Sequence, residues 1–206
     1  MLEAIPEVNT VPEVKTGFEP RRGPYLMIPY CAQGGTDQHR ALIDLYSRLQ
    51  AEGLAEIVFH ENPETTLLDF MNFFSGPKVA LQIFALMDGD KVVDIIAMTW
   101  LADLVSCSNG ALIKGVGSFV FFKDYQKPAY TDPVSKLVLD YWFDVLLLQT
   151  LVGLTPAPNR AASLFTKRLG FQEVCRIPNY TTFDGKVCDG IVSWMSRELY
   201  HDTRLE

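Results

Sequence analysis

The sequence predicts one mixed α/β (α+β) domain, and three observations carry that prediction. The chain has 206 residues, 48% hydrophobic and 21% charged, enough for one sizeable core and too few for two comfortable domains. Strand-like runs and helical periods follow one another in the order β–α–α–β–β–β–α–β–α–β–β. Two β-rich runs at 78–87 and 91–102 flank Asp88-Gly89-Asp90, which is hairpin turn chemistry.

The elements read as follows. Residues 1–24 contain "IPEVNT" and its echo "VPEVKT", then "GFEPRRGP"; proline at this spacing favours an extended, polyproline-like arm. Two copies are too few for a repeat fold, so the single domain is expected over 25–206, with the arm held by that domain or by a neighbouring subunit. "YLMIPY" (25–30) is a short strand. Segment 37–53 has helical spacing at Leu42, Leu45, Tyr46 and Leu49 and stops at Gly53; 62–76 predicts a shorter helix. After the hairpin, 111–122 is a strand in which Gly115 and Gly117 suggest a bulge. A long helix is predicted at 133–148, with Pro133 in its first turn, Asp132 or Thr131 as cap, and Lys136 with Asp140 as a surface i,i+4 pair. A strand (148–155), a helix (159–169) ended by Gly170, and strands at 171–179 and 187–197 complete the order.

Composition narrows the function. The formal net charge is −7 and no basic run occurs, so nucleic acid is not an expected partner. Residues 123–170 nevertheless hold six Lys/Arg against four Asp, so that this stretch suits an anionic small ligand or carries a chance excess. The four cysteines form no CxxC and the three histidines no HxxxH or HExxH, so no metal site is expected. The start "MLEAIPEVNT" has no signal-peptide pattern, and no run reaches the roughly 20 apolar residues of a membrane span. A cytoplasmic protein with reduced thiols, not associated with membrane, is the expectation.

The stretch "NRAASLFTKRLGFQEV" (159–174) resembles the last motif of the GNAT superfamily of acyl-CoA-dependent N-acetyltransferases, in which Asn opens a helix that ends in "LGF". Asn159, Ala162, Leu169, Gly170 and Phe171 fall in place. Gln126-Lys127-Pro128-Ala129-Tyr130-Thr131 is similar to the family's pyrophosphate loop, Gln/Arg-x-x-Gly-x-Gly/Ala, with Ala129 and Thr131 where the glycines stand. The element order from about 25 to 200 also matches, which implies a mostly antiparallel central sheet flanked by helices. A strand–loop–helix junction independently suits a pyrophosphate, since backbone N–H groups and the positive end of a helix dipole meet there. Pro128 contributes no N–H, while Lys127 adds positive charge.

The resemblance implies acetyl-CoA as co-substrate and direct transfer to an amine acceptor, a small molecule or a protein N-terminus or lysine. It places the cofactor on Phe121, Gln126, Lys127, Ala129, Tyr130, Thr131, Asn159 and Lys167. The backbone N–H around Phe121 would be the oxyanion donor. Asn159 caps its helix and, by resemblance, contacts the pantetheine arm; Lys167 is either a solvated cation or a contact to the 3′-phosphate. The general acid and base are less plain. Thr166 stands where one branch of the family has its acidic Tyr, and strand 111–122 carries no carboxylate. Tyr180, in "IPNYTTFDGK", is a substitute acid or a surface turn residue; Asp103 is a base or a strand-end charge. Two readings stay open: an acyl-CoA N-acyltransferase, or a GNAT-fold binding or assembly module that has lost its chemistry. A homo-oligomer joined through the 1–24 arm is compatible with either.

Overall fold

The computed structural model describes residues 18–31, 35–59, 64–108 and 111–203. Eight strands form one sheet in the order β1-β2-β3-β4-β5-β6-β8-β7. They are β1 (Arg21–Arg22), β2 (Tyr25–Pro29), β3 (Ala80–Asp88), β4 (Lys91–Ser106), β5 (Leu112–Phe121), β6 (Thr150–Pro156), β7 (Gln172–Phe183) and β8 (Lys186–Ser196). Every neighbouring pair is antiparallel except β5 with β6. Helices α1 (Thr36–Ala51), α2 (Ala55–Val58) and α3 (Leu67–Phe74) cover one face; α4 (Pro128–Asp140), α5 (Arg160–Arg168) and α6 (Arg197–Thr203) cover the other. The mostly antiparallel sheet flanked by helices expected from the sequence is the fold the chain adopts.

The period-2 alternation of β5 sorts its side chains between two cores. Val120 and Phe122 join Leu42, Leu45, Leu49, Phe70 and Phe74 under α1 and α3, while Phe121 joins Val134, Val138, Trp142 and Tyr200 on the opposite face. One buried polar group ties the layers together. Gln82 of β3, 2% exposed, accepts from Trp142 Nε1 at 2.9 Å and Thr99 Oγ1 at 3.3 Å, and donates to the Ala80 carbonyl at 3.2 Å. Each of its hydrogen-bonding atoms is thus engaged, as a buried amide requires.

Several expectations are corrected. Of the 1–24 arm, residues 1–17 lie outside the described residues, but Arg21–Arg22 pair with Tyr25 and Leu26, and the ring of Phe18 meets that of Tyr141 at a tilt, centres 5.4 Å apart. The expected 62–76 helix is Leu67–Phe74, opened by a capping box between Thr66 and Asp69; residues 62 and 63 lie outside the described set. The predicted bulge is not at Gly115 or Gly117. It lies mainly opposite, in β4, where Ala102 pairs with Val116 but Val105 with Lys114. Asp103 there is left-handed, at φ 49°, inside a strand and not at its end. Gly117 serves close packing instead: a Cβ on it would stand 2.6 Å from Leu151 Cδ1 and 3.1 Å from Trp142 Cζ3. Asp140 does not form a surface pair with Lys136. It is 8% exposed, accepts from the Tyr200 hydroxyl, and meets Arg22 Nη2 at 3.2 Å. A short helix, α6, follows the last strand and delivers that tyrosine.

The predicted 133–148 helix starts earlier and ends earlier. α4 begins at Pro128, with Lys127 as N-cap, and passes at Asp140 into a π-helical turn, Tyr141–Val145. Pro128 is favoured at the first helical position because its φ is preset and its missing N–H would go unused. Pro133 then lies inside the helix, where it cannot donate to the carbonyl of Ala129 four residues back. The Tyr25 hydroxyl donates to that carbonyl at 2.9 Å instead, which replaces the lost hydrogen bond. We expect Gly117→Ala to destabilise the fold by roughly 1–3 kcal/mol through overpacking. Thermal unfolding followed by circular dichroism measures this; an unchanged melting temperature would show that Leu151 yields without strain.

Candidate active site

The site begins with a parting of strands. β5 and β6 pair only at Lys114–Thr150, Gly115–Leu151 and Val116–Val152, and then diverge. β6 continues along β8 as far as Pro156 opposite Gly190, while β5 stays with β4 as far as Phe121 opposite Ala97. The rings of Phe119 and Phe121 occupy the α5 side of the wedge, 5.5 and 5.9 Å from the ring of Phe165. The Phe122 amide donates to the Ile96 carbonyl at 3.1 Å. Because antiparallel neighbours alternate in direction, the amides of Phe121 and Phe119 face away from β4, into the gap.

Two cavities meet at this gap. One, of about 160 Å³, lies between the parted strands and α5, lined by Phe119, Val120, Thr155, Asn159, Ala162, Phe165 and Thr166 among others. The other, of about 720 Å³, lies toward α2 and α3 and includes Phe59, Asp69, Phe70, Phe73, Asp103 and Tyr180. Both are lined by Val58, Trp100, Gly117, Ser118, Gly153 and Leu154, so these residues form their common boundary.

The residues singled out in the sequence fall around this cleft in different ways. Asn159 caps α5, its Oδ1 accepting from Ala162 N at 3.1 Å, and lines the smaller cavity. Gln126 folds back on the strand and donates to the Phe121 carbonyl at 3.0 Å. Lys127 is exposed at the head of α4. The amides of Tyr130 and Thr131 both bond to the Lys127 carbonyl at 2.9 Å, whereas the Ala129 amide has no backbone acceptor among the described residues. Thr131 is buried, its hydroxyl held by Asp132 and by Arg168 Nη2 at 3.1 and 3.0 Å. Lys167 lines a separate cavity of about 310 Å³ beneath α5, together with Arg160 and Arg176. Thr166 donates to the Ser163 carbonyl at 3.1 Å. Tyr180 lies within β7, at a register break between Ile177 and Thr181, and is half exposed on the larger cavity; it is not a turn residue. Asp103 lines that cavity as well. Among the described residues no group of three or more His, Cys, Asp or Glu could hold a metal ion, and no helix is long and apolar enough to cross a membrane.

One cluster escaped the sequence reading. Arg48 at the end of α1 donates to Glu52 and Asp94, both at 2.8 Å, and to the Ile95 carbonyl, with its guanidinium 4.0 Å from the centre of the Phe122 ring. Glu52 accepts from the Lys123 amide at 2.7 Å, and the Tyr125 hydroxyl donates to Asp94 at 2.7 Å. The 3₁₀ turn Lys123–Tyr125 that connects β5 to α4 is thereby braced from the opposite side of the sheet. Burial would raise the pKa of Asp94, but the bonds from Tyr125 and Arg48 outweigh it and hold the carboxyl below its ordinary value. The same bond, with some burial, pushes Tyr125 up to about 12. Only Arg48 and Glu52, four residues apart, carry a local spacing signal; Asp94 and Tyr125 come from distant parts of the chain.

Because Tyr125 holds its proton longer when folded than unfolded, its contribution is full below about pH 10 and is lost as pH rises toward about 12. Tyr125→Phe is expected to lose about 1 kcal/mol at neutral pH. It should also flatten that alkaline decline. Urea unfolding at a series of pH values reads both; an alkaline limb identical to the parent would show that the bond adds nothing.

No protein-family model and no curated protein sequence matches the chain. Solved structures do. The spermidine N-acetyltransferase of Vibrio cholerae, in complex with CoA and spermine, is 12% identical with a TM-score of 0.69, over 87% of this chain and 99% of that one. A spermidine/spermine N-acetyltransferase from Vibrio cholerae, in complex with manganese ions, is 13% identical with a TM-score of 0.64, over 87% and 96% of the two chains. At these identities the likeness speaks for the backbone alone, and it agrees with the order of the main elements: the fold is GNAT-like.

Proposed function

We propose that the protein transfers an acetyl group from acetyl-CoA to an amine. The observation that carries this reading is the early parting of β5 and β6, which turns the amides of Phe119 and Phe121 into an open cleft beside Asn159. The solved relatives are acetyltransferases, one of them holding CoA and spermine, which supports the same reading.

The residues present suit the group. Strand-edge amides need an acceptor, and a thioester carbonyl set between β5 and β6 supplies one. Asn159 keeps its amide nitrogen available for a pantetheine carbonyl after its oxygen has capped α5. At the head of α4 the free Ala129 amide, the helix dipole and Lys127 together attract a pyrophosphate. Thr131 helps indirectly, by fixing α5 to that first turn through Arg168. Lys167 is the candidate contact to a terminal phosphate.

Acetyl-CoA supplies the activated acyl group. The strand amides, with Phe121 the candidate donor, stabilise the negative charge that gathers on the carbonyl oxygen. The amine reaches the cleft as an ammonium, loses one proton to solvent, and forms the C–N bond as the C–S bond breaks; its second proton ends on sulfur. Tyr180, on the acceptor side, is the candidate relay: its hydroxyl gives a proton to sulfur and takes the amine's second proton in return. Positioning supplies the remainder of the rate. A second reading, a GNAT-fold module without transfer, is favoured by the Tyr130 and Thr131 amides being already bonded and by Thr166 in the acid position.

Calorimetric titration with acetyl-CoA and with desulfo-CoA separates the two. Transfer predicts micromolar binding of both, weakened at least tenfold in Ala129→Asp, where a carboxylate faces the pyrophosphate. The variant should melt as the parent does, because Ala129 is exposed and Asp is favoured in a first helical turn. Binding of neither ligand would leave the module.

A further inference from the structure

Three side chains from one N-terminal segment reach along α4. Phe18 meets the ring of Tyr141 just beyond the helix, Arg22 Nη2 meets Asp140 at 3.2 Å, and the Tyr25 hydroxyl donates to the Ala129 carbonyl at 2.9 Å. The first two hold the far end of the helix. The third holds its head, the end proposed for the pyrophosphate.

The Ala129 carbonyl is not an ordinary helix acceptor. Pro133, four residues on, has no N–H to give it, and the proline ring crowds that oxygen. A carbonyl without a helical donor tilts toward water and bends the turn that carries it. This carbonyl and the Tyr130 N–H belong to one planar peptide unit. Tyr25 holds the plane at its oxygen, and the Lys127 carbonyl holds it at its nitrogen, 2.9 Å away. On the other side of Ala129, the ring of Pro128 fixes φ. The Ala129 amide, without a backbone acceptor among the described residues, thus stands between two restrained units. The ring of Tyr130 completes the arrangement, edge-on to Tyr25 at 6.5 Å and to Tyr125 at 5.0 Å. Burial, and then the neighbouring Tyr130, raise the pKa of Tyr25, so its hydroxyl keeps the proton it donates throughout the neutral range.

We infer that Tyr25 is a positioning residue for the cofactor: through the Ala129 carbonyl it fixes the direction in which the Ala129 amide meets the pyrophosphate. This rests on the transferase reading and adds to it a contribution from β2, an element outside the cleft. A glycine-rich loop can adapt its backbone to a phosphate. The turn here runs Pro128-Ala129-Tyr130-Thr131-Asp132-Pro133 without a glycine, so it binds as it is already built. Tyr25 acts through the backbone and not by contact with the ligand.

The test compares the full chain with Tyr25→Phe, Pro133→Ala and the double variant, using desulfo-CoA as the probe. Alanine at 133 restores an N–H for the Ala129 carbonyl, which makes the tyrosine hydroxyl dispensable. Calorimetry should show desulfo-CoA binding weakened about three- to fivefold in Tyr25→Phe, the scale of one net hydrogen bond. The same substitution should change nothing in the Pro133→Ala background. A merely stabilising tyrosine would lower the melting temperature and leave the affinity of the folded protein as it was. Affinity unaltered in Tyr25→Phe, or an equal loss in both backgrounds, overturns the inference. Amide hydrogen exchange at Tyr130 reads the brace without any ligand. A parent chain that binds no desulfo-CoA overturns the transferase reading alone if this exchange still quickens in Tyr25→Phe and recovers in the double variant; unchanged exchange overturns the brace as well.

Discussion

The divergence of β5 from β6 after three paired residues is the constraint on which the rest of the structure depends. A sheet interior normally satisfies its own backbone, and each buried amide left without a partner costs about 1–3 kcal/mol. Here the unpaired edges lie in the middle of the sheet, open to a cleft, so that water or a ligand can meet them. The strands can part because each is firmly held on its other side, β5 by β4 and β6 by β8. Close packing of Gly117 on Leu151 and Trp142 marks the last point of contact. Trp142, fixed by its bond to Gln82, links that point to the rest of the core.

What stands at the mouth of the gap is set by long-range braces. The head of α4 is positioned by Tyr25 from β2, which satisfies the carbonyl that Pro133 leaves without a donor. The Arg48–Asp94–Glu52 group reaches from the far face of the sheet to the turn before the helix, and Arg168 reaches from α5 to Thr131 and Asp132. Backbone amides can act as preorganised donors only when the turn that carries them is rigid. Three separate elements provide that rigidity where loop glycines are absent.

The two halves of the cleft are built by different means. The α5 side relies on backbone and one capping asparagine, features that tolerate wide variation in sequence. The α2–α3 side relies on side chains, an aromatic wall with the carboxylates of Asp69 and Asp103.

The sequence alone determined the fold class, the order of the main elements without β1, α2 and α6, the hairpin at Asp88–Asp90 and the Asn159 cap, because periodicity, turn chemistry and capping act over a few residues. It also placed a strand–loop–helix junction, with the loop at 126–131, although 128–131 are already the first turn of α4. It misplaced the start of α4, because Pro133 reads as a helix start unless a tyrosine about a hundred residues earlier in the chain takes over its hydrogen bond. It misread Asp140 as a surface charge for the same kind of reason, its partners being Arg22 and Tyr200. Tyr180 was read as a surface-turn residue or substitute acid and Asp103 as a strand-end charge or base, and only the tertiary structure placed them on one cavity. That juxtaposition depends on strand divergence and on bulges in β4, which are set by packing between strands far apart in the chain and leave no local pattern to read.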